Sequence, residues 1–416
     1  MRALLPLLAG AALLLAGCSA RERANPFDPL NPSTGGRPPG FMAIAGDREV
    51  TLRWDAVSGG TFIGFQLFRR APGESAFREI TAVLHPTRTT FRDFPLVNGG
   101  DFAYRLYFVF RSGLGNLPAE DVASPGSVRP WLIESGGSDL IRATPDNRHV
   151  LERRGSYGAT ADVAANPRNG DVWVADPGAG RVVIYQADTG VTTSVPGFQR
   201  PIAVVIDPSN TTGWVCDEGL GGVYHVQRSG KIEPTSIGPL NQPVDAAVDP
   251  FNSHVWICEL NLDRVLHYDD VGMFQWACPV ARPSRVAVDS TTHEGWVTSF
   301  ETGTVTRVSP GGQVLGTFPD FVAPLGVAVD WNRGRIWIAD PYAGRVIALE
   351  RSGQEAFHLN GLSDAGELSV DPATGEVWVA LGAPGSIARI SPTGTILRIQ
   401  QGFDFPFAIS VDPGGR

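Results

Sequence analysis

Seven tryptophans, Trp131, Trp173, Trp214, Trp256, Trp296, Trp337 and Trp378, recur at intervals of 40 to 42 residues. A period of this length marks a chain built from stacked copies of one supersecondary unit. The unit reads Pro-x-x-Val-Ala-Val-Asp-Pro, a glycine-bearing turn, Val-Trp-Val-Ala-Asp, a second glycine turn, Arg-Val and a further strand. Its plainest copy comprises residues 324–330, 336–340 and 344–346. Each piece is short, β-branched and bounded by turn residues, which predicts four strands per period. A four-stranded sheet of about 40 residues cannot bury both faces alone, so successive copies must stack around an axis.

The two ends predict how the ring closes. The chain finishes on Pro406-Phe407-Ala408-Ile409-Ser410-Val411-Asp412, the first strand of a unit with no tryptophan strand behind it. The first tryptophan segment, Trp131-Leu132-Ile133-Glu134, has no Val-Ala-Val-Asp strand before it. The halves complement each other, giving six whole units and one split one. The expected architecture over residues 129–416 is a seven-bladed β-propeller closed by the C-terminal strand, which removes two open sheet edges. The Val-Asp-Pro, Trp-Val-Ala-Asp and Gly-Arg-Val segments resemble the NHL-type (SMP-30/NHL-like) propeller family over nearly 290 residues. That resemblance implies the fold; propellers host binders, lyases and lactonases alike.

Ahead of the repeats, alternation has period two. Val50, Leu52 and Trp54, then Phe65, Leu67 and Arg69, then Phe102, Tyr104, Leu106, Phe108 and Phe110 read as half-buried strands. Residues 38–128 resemble a fibronectin type III sandwich, with Phe102 where that family places a corner tyrosine. The expected fold class is therefore all-β. Residues 18–37 carry Asn25-Pro26-Phe27-Asp28-Pro29, Asn31-Pro32 and Gly35-Gly36, a Pro/Gly-rich linker expected to be an extended spacer. Residues 1–17 pair Arg2 with an apolar run from Leu4 to Leu15, too short to span a bilayer. The Leu15-Ala16-Gly17-Cys18 that follows resembles the lipobox of bacterial lipoproteins. The resemblance implies a signal peptide, lipidation of Cys18 and a membrane held through lipid; Ser19 after it implies the outer membrane of the cell envelope.

Internal copies single out candidate chemistry. Three residues beyond each tryptophan stand Glu134, Asp176, Asp217, Glu259, Ser299, Asp340 and Leu381; five further on stand Asp139, Arg181, Gly222, Arg264, Thr304, Arg345 and Ser386. Asp176–Arg181, Glu259–Arg264 and Asp340–Arg345 are expected ion pairs across a loop. Glu134 and Asp217 lack an arginine at that spacing, which makes them candidates for a ligand or ion contact. The residue just before Val-Ala-Val is Asp162, Ala203, Asp245, Arg285, Gly326, Glu367 and Ala408 in turn. On a propeller these would ring the channel mouth. Asp162, Asp245, Arg285 and Glu367 are thus candidate ligand-binding residues, and the three acids are candidates for Ca²⁺ or another divalent cation.

The remaining chemistry is sparse. His225 and His267 share a repeat position away from the mouth, and His254 and His293 fall in hairpins at the opposite end. Cys216, Cys258 and Cys278 are expected to be buried thiols, too far apart for a disulfide. A net charge of -9 argues against a nucleic-acid partner. No catalytic set emerges. The leading expectation is an envelope binding scaffold for a protein, peptide or glycan. Alternatives are a divalent-cation-dependent lyase or lactonase and a purely structural docking disc.

Overall fold

A computed structural model describes residues 24–135, 139–155 and 157–414. The chain forms two compact units that part between Val122 and Ala123, with Ile44–Thr51 and Arg92–Asp101 grouped with the second. Apart from the 3-10 turns Leu260–Leu262 and Pro341–Ala343, the described regular structure is β. Cys18 and the apolar run at residues 4–15 lie outside the described residues. Among those described, no helix is long and apolar enough to cross a membrane.

Two antiparallel sheets lie between residues 42 and 123. One orders Met42–Gly46, Glu49–Arg53 and Thr90–Asp93; the other centres on Phe62–Arg70 paired with Phe102–Phe110. The alternating residues Phe65, Leu67, Tyr104, Leu106 and Phe108 are buried, and Trp54 packs on Phe65 at 5.5 Å between ring centroids. Residues 24–37 depart from an extended spacer. Asn25, Asp28 and Asn31 each accept a backbone N–H two residues on, which folds the segment into turns. The Phe27 ring then packs against Phe62, Phe108 and Phe110 at 4.8–5.3 Å.

The second unit holds seven four-stranded antiparallel sheets among the described residues. In chain order they are sheet one (residues 129–154 with 406–412), two (162–196), three (201–237), four (243–279), five (285–318), six (327–360) and seven (365–401). Sheet one is composite: Pro406–Asp412 pairs with Arg129–Glu134, with Ile409 opposite Leu132. The first strands, Asp162–Ala165, Pro201–Ile206, Pro243–Val248, Arg285–Asp289, Val327–Asp330, Ala365–Val370 and Pro406–Asp412, neighbour one another in a closed cycle.

The tryptophans explain the period. Each indole packs on the strand aliphatics of the next sheet: Trp173 on Val204 and Val215, Trp214 on Val255 and Ile257, Trp378 on Leu132 and Ile141. Trp131 closes the circle against Val172 and Val174. Losing such an indole typically costs about 3–5 kcal/mol, so the repeated residue is the one that joins sheet to sheet. Against two of the indoles the next sheet offers glycine. A Cβ on Gly295 would sit 2.4 Å from the Trp256 ring, and one on Gly213 would sit 2.8 Å from Trp173.

Candidate functional site

Adjacent first strands belong to different sheets and share no ladder, so their inward N–H groups need other acceptors. Side chains supply them. Asp162 Oδ2 accepts the Val204 N–H at 2.8 Å, and Asp245 Oδ2 accepts the Val286 N–H at 2.8 Å. Ser410 Oγ accepts from Ala165 at 2.9 Å and Ser369 Oγ from Val411 at 3.1 Å. Asp162, Asp245, Ser369 and Ser410 border a cavity of about 230 Å³ that also meets Arg285, Gly326 and Glu367. The structure thus brings Asp162, Asp245, Arg285 and Glu367 to one place. Ala203 and Ala408 complete the ring as buried small residues.

Charge in this cavity does not balance. Arg285 Nε donates to Glu367 Oε1 at 3.0 Å, and Arg285 Nη1 donates to the Ser284 carbonyl at 3.3 Å. Asp162 and Asp245, 9% and 8% exposed, have no arginine of their own. Fully ionised, three carboxylates against one guanidinium leave two negative charges out of water, which burial opposes. Burial accordingly pushes the Asp245 carboxyl up to about 7, against the attraction of Arg285. Burial, and after it the charge of Glu367, holds Asp162 well above the usual carboxylate range. Burial also raises Glu367, opposed by Arg285. The acids in turn hold the Arg285 guanidinium charged, overriding its burial.

Glu134 and Asp217 stand elsewhere and are not free. Glu134 Oε2 accepts from Arg153 Nη1 at 2.7 Å, and its Oε1 accepts the Asp404 N–H at 2.9 Å. The arginine missing from the loop comes from Val150–Arg154, the outermost strand of the same sheet. Asp217 takes backbone amides instead, from Gln199 at 2.6 Å, Arg200 at 2.9 Å and Leu220 at 3.0 Å. It ties the loop entering its own sheet, so neither carboxylate lacks a partner as the spacing alone suggested. Asp176–Arg181, Glu259–Arg264 and Asp340–Arg345 are ion pairs. Their acids tie the same loop: Asp176 accepts from Gly158 and Ala159, and Asp340 from Val322 and Ala323. Sheet seven inverts the device. Leu381 cannot accept, and Asp364 on the loop accepts the Ala383 N–H at 2.7 Å.

Asp162, Asp245 and Glu367 do not make the cation cage expected of them. Among the described residues no three of His, Cys, Asp and Glu converge closely enough to hold a metal ion. The oxygens point to backbone amides and to Arg285, and those amides fix their directions. Cys216, Cys258 and Cys278 are buried free thiols, and burial raises the pKa of each. The cavity lining contains no histidine.

A second cavity, of about 280 Å³, was not foreseen from the sequence. Asp249, Asn252, His254, Trp256, His267, Trp276 and His293 are among its walls. Its signal was present in the hairpin register. Trp256 lies opposite His267, so His254, two residues before Trp256, shares their face of the sheet.

No protein-family model matches the chain, and no curated protein is significantly similar to it. Solved structures are similar in fold. Virginiamycin B lyase from Staphylococcus aureus superposes with a TM-score of 0.52 at 17% identity, over 59% of this chain and 85% of the lyase. A streptogramin B lyase gives 0.54 at 16% identity, over 68% and 91%. A functionally unknown protein from Desulfotomaculum acetoxidans gives 0.60 at 12% identity, over 69% and 99%. At such identities the likeness speaks for architecture alone: the stacked antiparallel sheets of this chain are a β-propeller.

Proposed function

We propose that this protein is a binding scaffold of the bacterial cell envelope whose propeller channel receives a cationic side chain of a protein or peptide partner. In this reading the propeller has seven blades and a fibronectin type III-like module precedes it. Cys18 carries the lipid anchor, and the outer membrane is where it is held. The observation that carries the binding assignment is the excess of buried acid: Asp162, Asp245 and Glu367 against Arg285 alone. An ammonium or guanidinium entering the cavity would relieve the burial that holds Asp245 near 7 and would displace its proton. That preference for charge favours a basic peptide over a neutral glycan.

Lyase chemistry is the second reading, suggested by the fold neighbours. A histidine-to-alanine variant of the Staphylococcus aureus lyase is catalytically inactive. The cavity here has no histidine, and its two serines are engaged with backbone amides. Titration calorimetry of the full chain with a lysine-rich peptide amide tests the scaffold reading. The enthalpy should vary with buffer ionisation, because a proton leaves. An Asp162→Asn/Asp245→Asn variant should bind at least tenfold more weakly. Equal binding by that variant, or lyase activity of the wild type on a streptogramin B, would overturn it.

A further inference from the structure

One repeat position carries a cross-strand pair in several sheets: the residue two before the tryptophan and the residue eleven after it. In sheet five the pair is Glu294 and Arg307, bidentate at 2.8 and 2.9 Å. In sheet seven it is Glu376 and Arg389, also at 2.8 and 2.9 Å. Sheet three has Thr212 and His225, joined Oγ1 to Nε2 at 2.7 Å. Every one of these pairs a good donor with a good acceptor. In sheet four the same position holds His254 and His267, whose Nδ1 and Nε2 are hydrogen-bonded at 3.3 Å. Here both partners are imidazoles, so a metal ion can replace the shared proton and take a lone pair from each ring.

From this we infer that His254 Nδ1 and His267 Nε2 are a two-histidine site for a divalent transition-metal ion such as Zn²⁺ or Ni²⁺. The ring geometry supports convergence on a shared point. The centroids lie 5.0 Å apart. A metal about 2.1 Å from each nitrogen, with the nitrogens at their observed separation, puts the centroids about 5 Å apart. A straight N–H···N bond of that length would put them at about 5.6 Å, so the hydrogen bond the pair makes in the absence of metal is bent. Imidazole nitrogen suits Zn²⁺, Ni²⁺ and Cu²⁺. His267 is held in place, stacked on Trp276 at 4.7 Å and against Trp256 at 5.2 Å, with Trp276 anchored to the Pro310 carbonyl at 2.8 Å.

His293, whose Nδ1 is engaged with Asp249 Oδ2 at 2.6 Å, does not form a three-ligand group with the pair among the described residues. No third His, Cys, Asp or Glu among the described residues completes the set. The remaining coordination positions open into the 280 Å³ cavity, where water or a donor from a bound molecule would fill them. This inference is independent of the channel proposal and concerns a different part of the propeller.

Ni²⁺ titration of the untagged full chain tests it, read by tryptophan emission and by calorimetry. Bound Ni²⁺ would lie beside Trp256 and Trp276 and quench them. The expected result is one saturable equivalent, with His254→Gln and His267→Gln each weakening binding at least tenfold and abolishing the quench. A His358→Gln variant, at an exposed histidine facing Glu355, should behave as wild type. Absence of saturable binding by the wild type would overturn the site. So would binding that survives both sheet-four substitutions, or that is lost equally in His358→Gln. Circular dichroism of each variant separates loss of a ligand from loss of the fold.

Discussion

Asp245→Asn should make the protein more stable, and only above the acid range. The carboxyl titrates near 7 in the fold against an ordinary value of 3.8. Below pH 4 it is protonated in both folded and unfolded chains and there is no penalty. Between about pH 4 and 7 the unfolded chain ionises first, so stability falls as pH rises; above 7 the loss is complete. Linkage puts the full loss at about 4 kcal/mol. Asparagine keeps an oxygen for the Val286 N–H and removes the charge. It also removes a like charge from Asp162, an effect of the same sign. The gain over wild type should therefore be about 1 kcal/mol at pH 4.5 and approach 4 kcal/mol by pH 8, which is roughly 10 °C in Tm for a unit of this size. Thermal unfolding of both proteins across that range is the assay. A gap independent of pH, or one that narrows toward pH 8, would refute the reasoning. It would mean that the field of Arg285 outweighs burial and that Asp245 is ionised throughout.

Three further outcomes follow from the packing. Asp217→Ala strands the Gln199, Arg200 and Leu220 amides and should cost about 3 kcal/mol, with Asp217→Asn recovering part of it in urea titrations. Gly295→Ala should cost about 1–3 kcal/mol through the Trp256 clash. Gly311→Ala, whose nearest neighbour is 3.9 Å away, should be close to neutral in the same assay. Deleting residues 405–414 removes the strand beside Arg129–Glu134 and should unfold the second unit in one cooperative step at a much lower temperature. An unchanged melting temperature would show that this strand does not close the ring.

What the sequence disclosed and what it hid divide along a physical line. A feature is legible when every copy of the repeat must solve the same problem in the same way. Each sheet needs a large apolar plate against its neighbour, so tryptophan recurs on the second strand. The first strands share one cavity, so one offset from the Val-Ala-Val segment marks Asp162, Asp245, Arg285 and Glu367 in the sequence. The aspartates that follow the first strands repeat for the same reason: Asp207, Asp249, Asp371 and Asp412 each accept a backbone N–H two residues on.

Legibility fails where copies solve a shared problem with different partners. Glu134 and Asp217 looked unpaired because only one spacing was open to inspection. Glu134 finds Arg153 one strand further out, and Asp217 finds main-chain amides that leave no mark in the sequence. The assignment of a cation to the channel acids failed likewise. Composition counts carboxylates, whereas the directions of their oxygens are set by the amides of Val204 and Val286. His254 and His267 show the converse. The pair was hidden while each histidine was read alone, and it emerges when the glutamate–arginine pairs of sheets five and seven reveal what that position normally does. In a repeat protein the copy that breaks the shared solution, with the register showing what it breaks, is the place where chemistry particular to this chain is to be sought.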